Sequence, residues 1–257
     1  MRARQFTWED IDFATWAVDA RTGETLWLTR YDGPGDNYDF PWAISATIEG
    51  VFVAGSTYNA EFDQDLVTVA YNRLTGEQAW ATLVDGPGAH DDVAYDIAVT
   101  AAGSVIVAGS TYGGSSSWYD FLVVNLQADS GLVQWQNTYG GFADFRDQLS
   151  SQSGDYARSL ALSPDEATLF VTGNSWGGAD TSFDFVTIAY STESGNREWV
   201  ARHDSGSGQF DMPWAVEVSS DGRAVYVAGE GVGPNSNADY VIVKYPIAGT
   251  SFLPATG

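Results

Sequence analysis

The string A-V-D-A-R-T-G-E-T-L-W at 17–27 returns as A-Y-N-R-L-T-G-E-Q-A-W at 70–80, N-L-Q-A-D-S-G-L-V-Q-W at 125–135 and A-Y-S-T-E-S-G-N-R-E-W at 189–199. A segment that recurs at this interval is one supersecondary unit, which buries its apolar face only by stacking on its neighbours. Independent markers keep the same register. Trp27, Trp80, Trp135 and Trp199 step by 53, 55 and 64 residues, and Asp12, Asp65, Asp120, Asp184 and Asp239 by 53, 55, 64 and 55. Gly55, Gly109, Gly173 and Gly229 step by 54, 64 and 56. The unit is therefore about 54 residues, and the one long step places a loop insertion at 142–154.

Within a unit the pattern is strand, turn, strand, with no sustained helical period. The second unit predicts strand A at Val93–Thr100, strand B at Ser104–Ser110, strand C at Tyr119–Gln127 and strand D at Leu132–Tyr139. Runs such as V-F-V-A-G-S at 51–56 and V-I-V-A-G-S at 105–110 are apolar almost throughout, so both faces of the sheet must be covered. Radial stacking of small four-stranded antiparallel sheets meets that demand. The expected fold is all-β, a β-propeller.

The A-x-D-x-x-T-G-x-x-x-W string resembles the tryptophan-docking motif of propellers related to the quinoprotein dehydrogenases. The fuller unit, with D-G-P-G, an Asp, an apolar strand and V-A-G-S, resembles a bacterial and archaeal β-propeller repeat family often found in surface proteins. The resemblance runs from Asp12 to Tyr245. Asn72, Gln127 and Ser191 replace the Asp19 of the first copy, and Ser130 and Ser194 replace its Thr. It implies the fold and an extracytoplasmic, cell-surface or secreted setting. It does not fix an activity, because propellers host many.

The repeated residues have structural readings. The Trp series fills the gaps between blades, Thr-Gly makes the C–D turn, and the Asp opening each strand C caps loop N–H groups. Function is sought where the D–A and B–C loops converge on one face. Candidate ligand-binding residues there are Tyr58, Tyr112, Trp118 and Trp176 with Asp39, Asp92, Asp155 and Asp211, a set suited to a glycan, a cation or a protein. Asp32, Asp36, Asp39, Asp85, Asp91 and Asp92 are candidate ligands for Ca2+. Cysteine is absent, and only His90 and His203 occur, so thiol nucleophiles are excluded and histidine-rich metal sites disfavoured. The leading expectation is a non-catalytic binding or scaffold module. The alternative is a propeller enzyme, a carboxylate-based hydrolase or lyase or a quinone-type oxidoreductase; no cofactor site can be matched, and the chain has one lysine, Lys244.

The chain is read as a lead-in at 1–11, repeats at 12–245 forming one domain, and a tail at 246–257 ending in L-P-A-T-G, which resembles a sortase signal or a degenerate strand D. The strand count starts with C and D and ends with A, B and C, so a closed ring, a homodimer completing the ring and a longer parent chain all stay open. No segment reads as membrane-inserting or as a signal peptide. The formal net charge of −23 disfavours nucleic acid and anionic membranes. Scarce lysine and abundant aspartate fit adaptation to high salt, which screens the repulsion. The melting temperature is accordingly expected to rise between low and molar NaCl; a sharp loss of fold on adding salt would refute this.

Overall fold

The computed structural model describes residues 11–35, 37–86, 88, 90–114, 118–141, 154–178, 180–234 and 237–247. Residues 142–153 of the insertion, most of the lead-in and the L-P-A-T-G end lie outside the described residues. The regular structure described is all β. β1 (Phe13–Val18) and β2 (Thr25–Tyr31) pair as a two-stranded sheet. Three four-stranded antiparallel sheets follow: β3 (Asp39–Ala46), β4 (Val51–Tyr58), β5 (Gln64–Tyr71) and β6 (Gln78–Val84); β7 (Val93–Val99), β8 (Ser104–Gly114), β9 (Trp118–Gln127) and β10 (Val133–Tyr139); β11 (Asp155–Leu162), β12 (Thr168–Trp176), β13 (Phe183–Ser191) and β14 (Arg197–His203). β15 (Met212–Val218), β16 (Ala224–Val232) and β17 (Ala238–Pro246) close the order as a three-stranded sheet. These are the blades of an all-β propeller. β8 runs four residues past the expected end, because it pairs with β9 as far as Gly114 opposite Trp118.

The blades gather into two compact units, Met1–Gly140 and Gly141–Gly257. In the first, alternation along β4 sends Val51 and Val53 back onto Phe13, Trp27 and Tyr31. Phe52 and Ala54 point forward onto Ala94, Ile97, Val105 and Val107. The near-continuous apolar run of β4 is thus two alternating faces, each with its own neighbour. In the second unit Phe170, Phe185 and Ala189 pack on Val216, Val218, Val225 and Val227 in the same manner.

Each four-stranded blade repeats a register shift in its first strand, between Pro41 and Ala43, Ala94 and Asp96, and Ala157 and Ser159. The three-stranded sheet repeats it between Pro213 and Ala215. The bulge brings this strand against the V-A-G segment, where a Cβ on Gly55 would collide with the Phe40 carbonyl and one on Gly109 with that of Val93. Only glycine allows the approach.

The C–D turn explains the recurring string. Asp19 Oδ1 accepts the N–H groups of Arg21 and Thr22 at 2.8 and 3.0 Å, and Asn72 Oδ1 those of Leu74 and Thr75 at 2.9 and 3.2 Å. Gly23, Gly76, Gly131 and Gly195 all have φ of 71–73°. The Trp27 indole donates to the Arg73 carbonyl of the next blade at 3.1 Å, and Trp80 to that of Ala128 at 2.9 Å. Gly131 therefore carries two demands: its φ is left-handed, and a Cβ there would sit 2.7 Å from the Trp80 ring. Gly23 has the same φ with nothing within 4 Å. Gly23→Ala is expected to cost about 1 kcal/mol for the strained backbone, and Gly131→Ala about 3 kcal/mol once displacement of the indole is added. Denaturant unfolding of the two variants measures the difference, and equal losses would remove the indole contact from the account.

Candidate functional site

The strand-A aspartates of the loop face are buried at blade junctions. Asp39 opens β3, and Asp92 and Asp211 immediately precede β7 and β15. Their N–H groups donate to the carbonyls of Ile11, Gln64 and Phe183 at 2.7, 2.6 and 2.6 Å, one repeated bond that ties the sheets opening with β3, β7 and β15 each to the one before. Their carboxylates hold loops. The Oδ2 atoms of Asp39, Asp92, Asp155 and Asp211 accept the N–H of Gly33, Gly86, Gly141 and Ser205 at 2.9, 2.6, 2.5 and 2.7 Å. The Oδ1 atoms of Asp92, Asp155 and Asp211 take a second N–H, from Tyr112, Trp176 and Val232, at 3.1–3.2 Å. Asp39 lacks that second backbone donor, because the Tyr58 N–H goes to the Tyr38 carbonyl at 3.0 Å. These four candidate ligand groups are thus already bonded to the backbone, with side chains at most 5 % exposed.

Among the described residues, three aspartates then meet at each of three junctions: Asp12, Asp32 and Asp39; Asp65, Asp85 and Asp92; Asp184, Asp204 and Asp211. In each group one oxygen per residue lies within 4.8 Å of the others. The members come from the start of strand C, the end of strand D and the start of the next strand A. Of the candidate cation ligands, Asp32, Asp39, Asp85 and Asp92 belong to these groups. Asp91 instead accepts the Gln64 N–H at 3.2 Å, and Asp36 lies outside the described residues.

Asp12, Asp65 and Asp184 do not cap loop N–H groups as expected. Their partners are side chains: Asp12 forms an ion pair with Arg30 Nη1 at 3.6 Å, Asp65 accepts from Asn59 Nδ2 at 3.4 Å, and Asp184 accepts from Arg202 Nη1 and the Thr181 hydroxyl at 2.7 and 3.2 Å. The loop amides have already been taken by the strand-A carboxylates. The triads went unread in sequence because their members are neighbours only through space, although all three Asp series step by 53 residues between the first two junctions.

Burial is the first cause that raises the carboxyl groups of Asp39, Asp65, Asp92, Asp155 and Asp184 above their ordinary value. Like charge adds to it at each triad: Asp32 and Asp12 act on Asp39, Asp85 on Asp65 and Asp92, and Asp204 on Asp184.

The aromatic candidates form local clusters. Tyr58 contacts Tyr38 and Phe40 with centroids at 6.0 and 6.4 Å, and its hydroxyl accepts from Gln64 Nε2 at 2.7 Å. Tyr112 is ringed by His90 at 4.4 Å, Tyr119 at 5.6 Å and Trp118 at 6.5 Å. Trp176 stacks edge-on to Phe183 at 5.3 Å in the second unit. Trp118 is 38 % exposed and held at a φ of +59°, which an indole-bearing residue rarely adopts.

An anionic quinone would need cationic partners. A cavity of about 300 Å³ beside Trp214 and Tyr240 carries Glu230 and Asp239, and one of about 250 Å³ carries Glu49 and Asp129. Neither is lined by Lys or Arg, and Lys244 lies over the Tyr226 ring at 5.4 Å. These cavities do not fit such a group. Among the described residues no helix is long and apolar enough to cross a membrane.

A family model described as outer membrane protein assembly factor BamB matches residues 12–235, and the chain belongs to that family. No curated protein matches it. Among solved structures, the Dos1 propeller aligns at a TM-score of 0.53 and 12% identity, over 84% of this chain and 47% of its own. The quinohemoprotein alcohol dehydrogenase of Comamonas testosteroni aligns at 0.50 and 14%, over 87% and 40%. A europium-containing methanol dehydrogenase aligns at 0.50 and 11%, over 84% and 46%. The chain thus spans less than half of each of these three, and the likeness is one of fold.

The raised carboxyl groups set a pH dependence. A folded carboxylate with an elevated pKa takes up its proton before the unfolded chain does, so stability increases as pH falls through the window just above the ordinary value of 3.8. Asp19, Asp165 and Asp221 are lowered by hydrogen bonds and act oppositely below that value. The melting temperature at low salt is expected to peak in mild acid; a monotonic fall from neutral pH would refute the burial of these charges.

Proposed function

We propose that this member of the BamB family is a non-catalytic propeller scaffold, working outside the cytoplasm, that binds a partner polypeptide through the aromatic rings of its loop face. Trp118 carries the reading. A large ring kept part-exposed on a strained backbone, against Tyr112, Tyr119 and His90, is a rigid anchor of the kind that dominates protein interfaces. The family description as an assembly factor supports a protein partner and an extracytoplasmic setting. The strand-A carboxylates support a role without turnover, since they are occupied by backbone N–H groups.

The test uses immobilised protein, peptides from outer-membrane proteins, and soluble glycans in parallel. Peptide retention is expected, at least tenfold weaker for Trp118→Ala, with unchanged melting. Retention of glycan alone, or turnover of an alcohol or a glycoside, would overturn the proposal.

A further inference from the structure

In the second unit the Asp184 side chain is 1 % exposed. Its Oδ2 is taken by Arg202 and Thr181, but its Oδ1 is fully buried with no hydrogen-bond donor. The same atom is left over at the same register position in the first unit: Asp12 Oδ2 faces Arg30, and Asp12 Oδ1 is buried without a donor. A buried carboxylate oxygen lacking a donor is costly. Here the cost recurs, and each time the oxygen belongs to a residue grouped with two further aspartates.

Charge points the same way. Asp184, Asp204 and Asp211 bring three negative charges and Arg202 one positive; Asp12, Asp32 and Asp39 do the same with Arg30. Two negative charges remain at each. At the middle junction Leu83 takes the register position of Arg30 and Arg202, so Asp65, Asp85 and Asp92 lack even that guanidinium.

We propose that these junctions bind a hard divalent cation of the calcium class, held by one oxygen from each aspartate, with the Asp184–Asp204–Asp211 group as the reference site. Calcium–oxygen distances of about 2.3–2.6 Å allow ligand atoms up to about 5 Å apart, and the oxygens of each group all lie within 4.8 Å of one another. Magnesium demands near-ideal octahedral geometry and dehydrates reluctantly, whereas calcium accepts a flexible carboxylate set of this kind. An all-oxygen set with no His or Cys disfavours zinc. The ion joins the ends of strands C and D of one blade to the start of strand A of the next, cross-linking the junction where like charges otherwise repel. This ligand set replaces the D–A loop set with Asp36 and Asp91, and it is independent of Trp118 and of any polypeptide partner.

The experiment is equilibrium dialysis of the chelator-stripped full chain against Ca2+ at constant ionic strength, with thermal melting in parallel. Asp204→Asn is the diagnostic variant. Asp204 is exposed, and the asparagine keeps an acceptor for the Gly206 N–H now bonded at 2.7 Å. Asp221→Asn, on the opposite turn, is the control. Wild type and Asp221→Asn are expected to bind one more Ca2+ per chain than Asp204→Asn, in the range of about 0.1–1 mM. Tenfold excess over the dissociation constant is expected to raise the wild-type melting temperature by about 3–6 °C more than that of Asp204→Asn, the contribution of one site. Equal stoichiometry in wild type and Asp204→Asn, or an equal rise in Tm with Mg2+ or with NaCl of matched ionic strength, would overturn the proposal.

Discussion

The structure depends on sheets that must be buried on both faces. β4, β5, β8, β9, β12 and β13 are buried along most of their length, and alternation divides the run of β4 between two neighbours. A single blade of this composition would expose an apolar face to water, so it is stable only in a stack. Stacking dictates the rest. The outer strands β6, β10 and β14 carry the polar alternation, and Trp27 and Trp80 fill the wedge that opens between twisted sheets, each fixed by its indole hydrogen bond.

Charge is pushed to the strand ends by the same constraint. At the loop face, strand-A carboxylates satisfy loop N–H groups that the sheets leave unpaired, and burial raises the affinity of Asp39, Asp92 and Asp155 for protons. The strand-C and strand-D carboxylates then arrive beside them with few donors left. The junction is therefore strong in hydrogen bonds and poor in cations. Loop bracing, proton affinity and the cation proposal are three consequences of one crowded set of acids.

The blades were legible because their markers are local. The Gly of V-A-G-S, the Thr-Gly turn and the Trp that follows act within one hairpin or on the adjoining one, and a fixed step exposes them. The aspartates were half legible. Asp39, Asp92, Asp155 and Asp211 read as free ligand groups, yet their carboxylates bond to the amides of Gly33, Gly86, Gly141 and Ser205. Asp12, Asp65 and Asp184 read as caps, yet their partners are side chains, and the loop amides of Gly33, Gly86 and Ser205 are held by the strand-A carboxylates instead. The positive φ of Trp118 left no trace in composition or spacing.

The sequence by itself determined the repeat, the strands, the all-β class and the excess of negative charge, since periodicity and composition act along the chain. Only the tertiary structure decided which acids face one another, which are spent on backbone, and where a carboxylate oxygen is left without a donor. Those relations join residues some 20 to 30 positions apart in sequence across a blade junction, and no local pattern encodes a contact that exists only after two sheets have stacked.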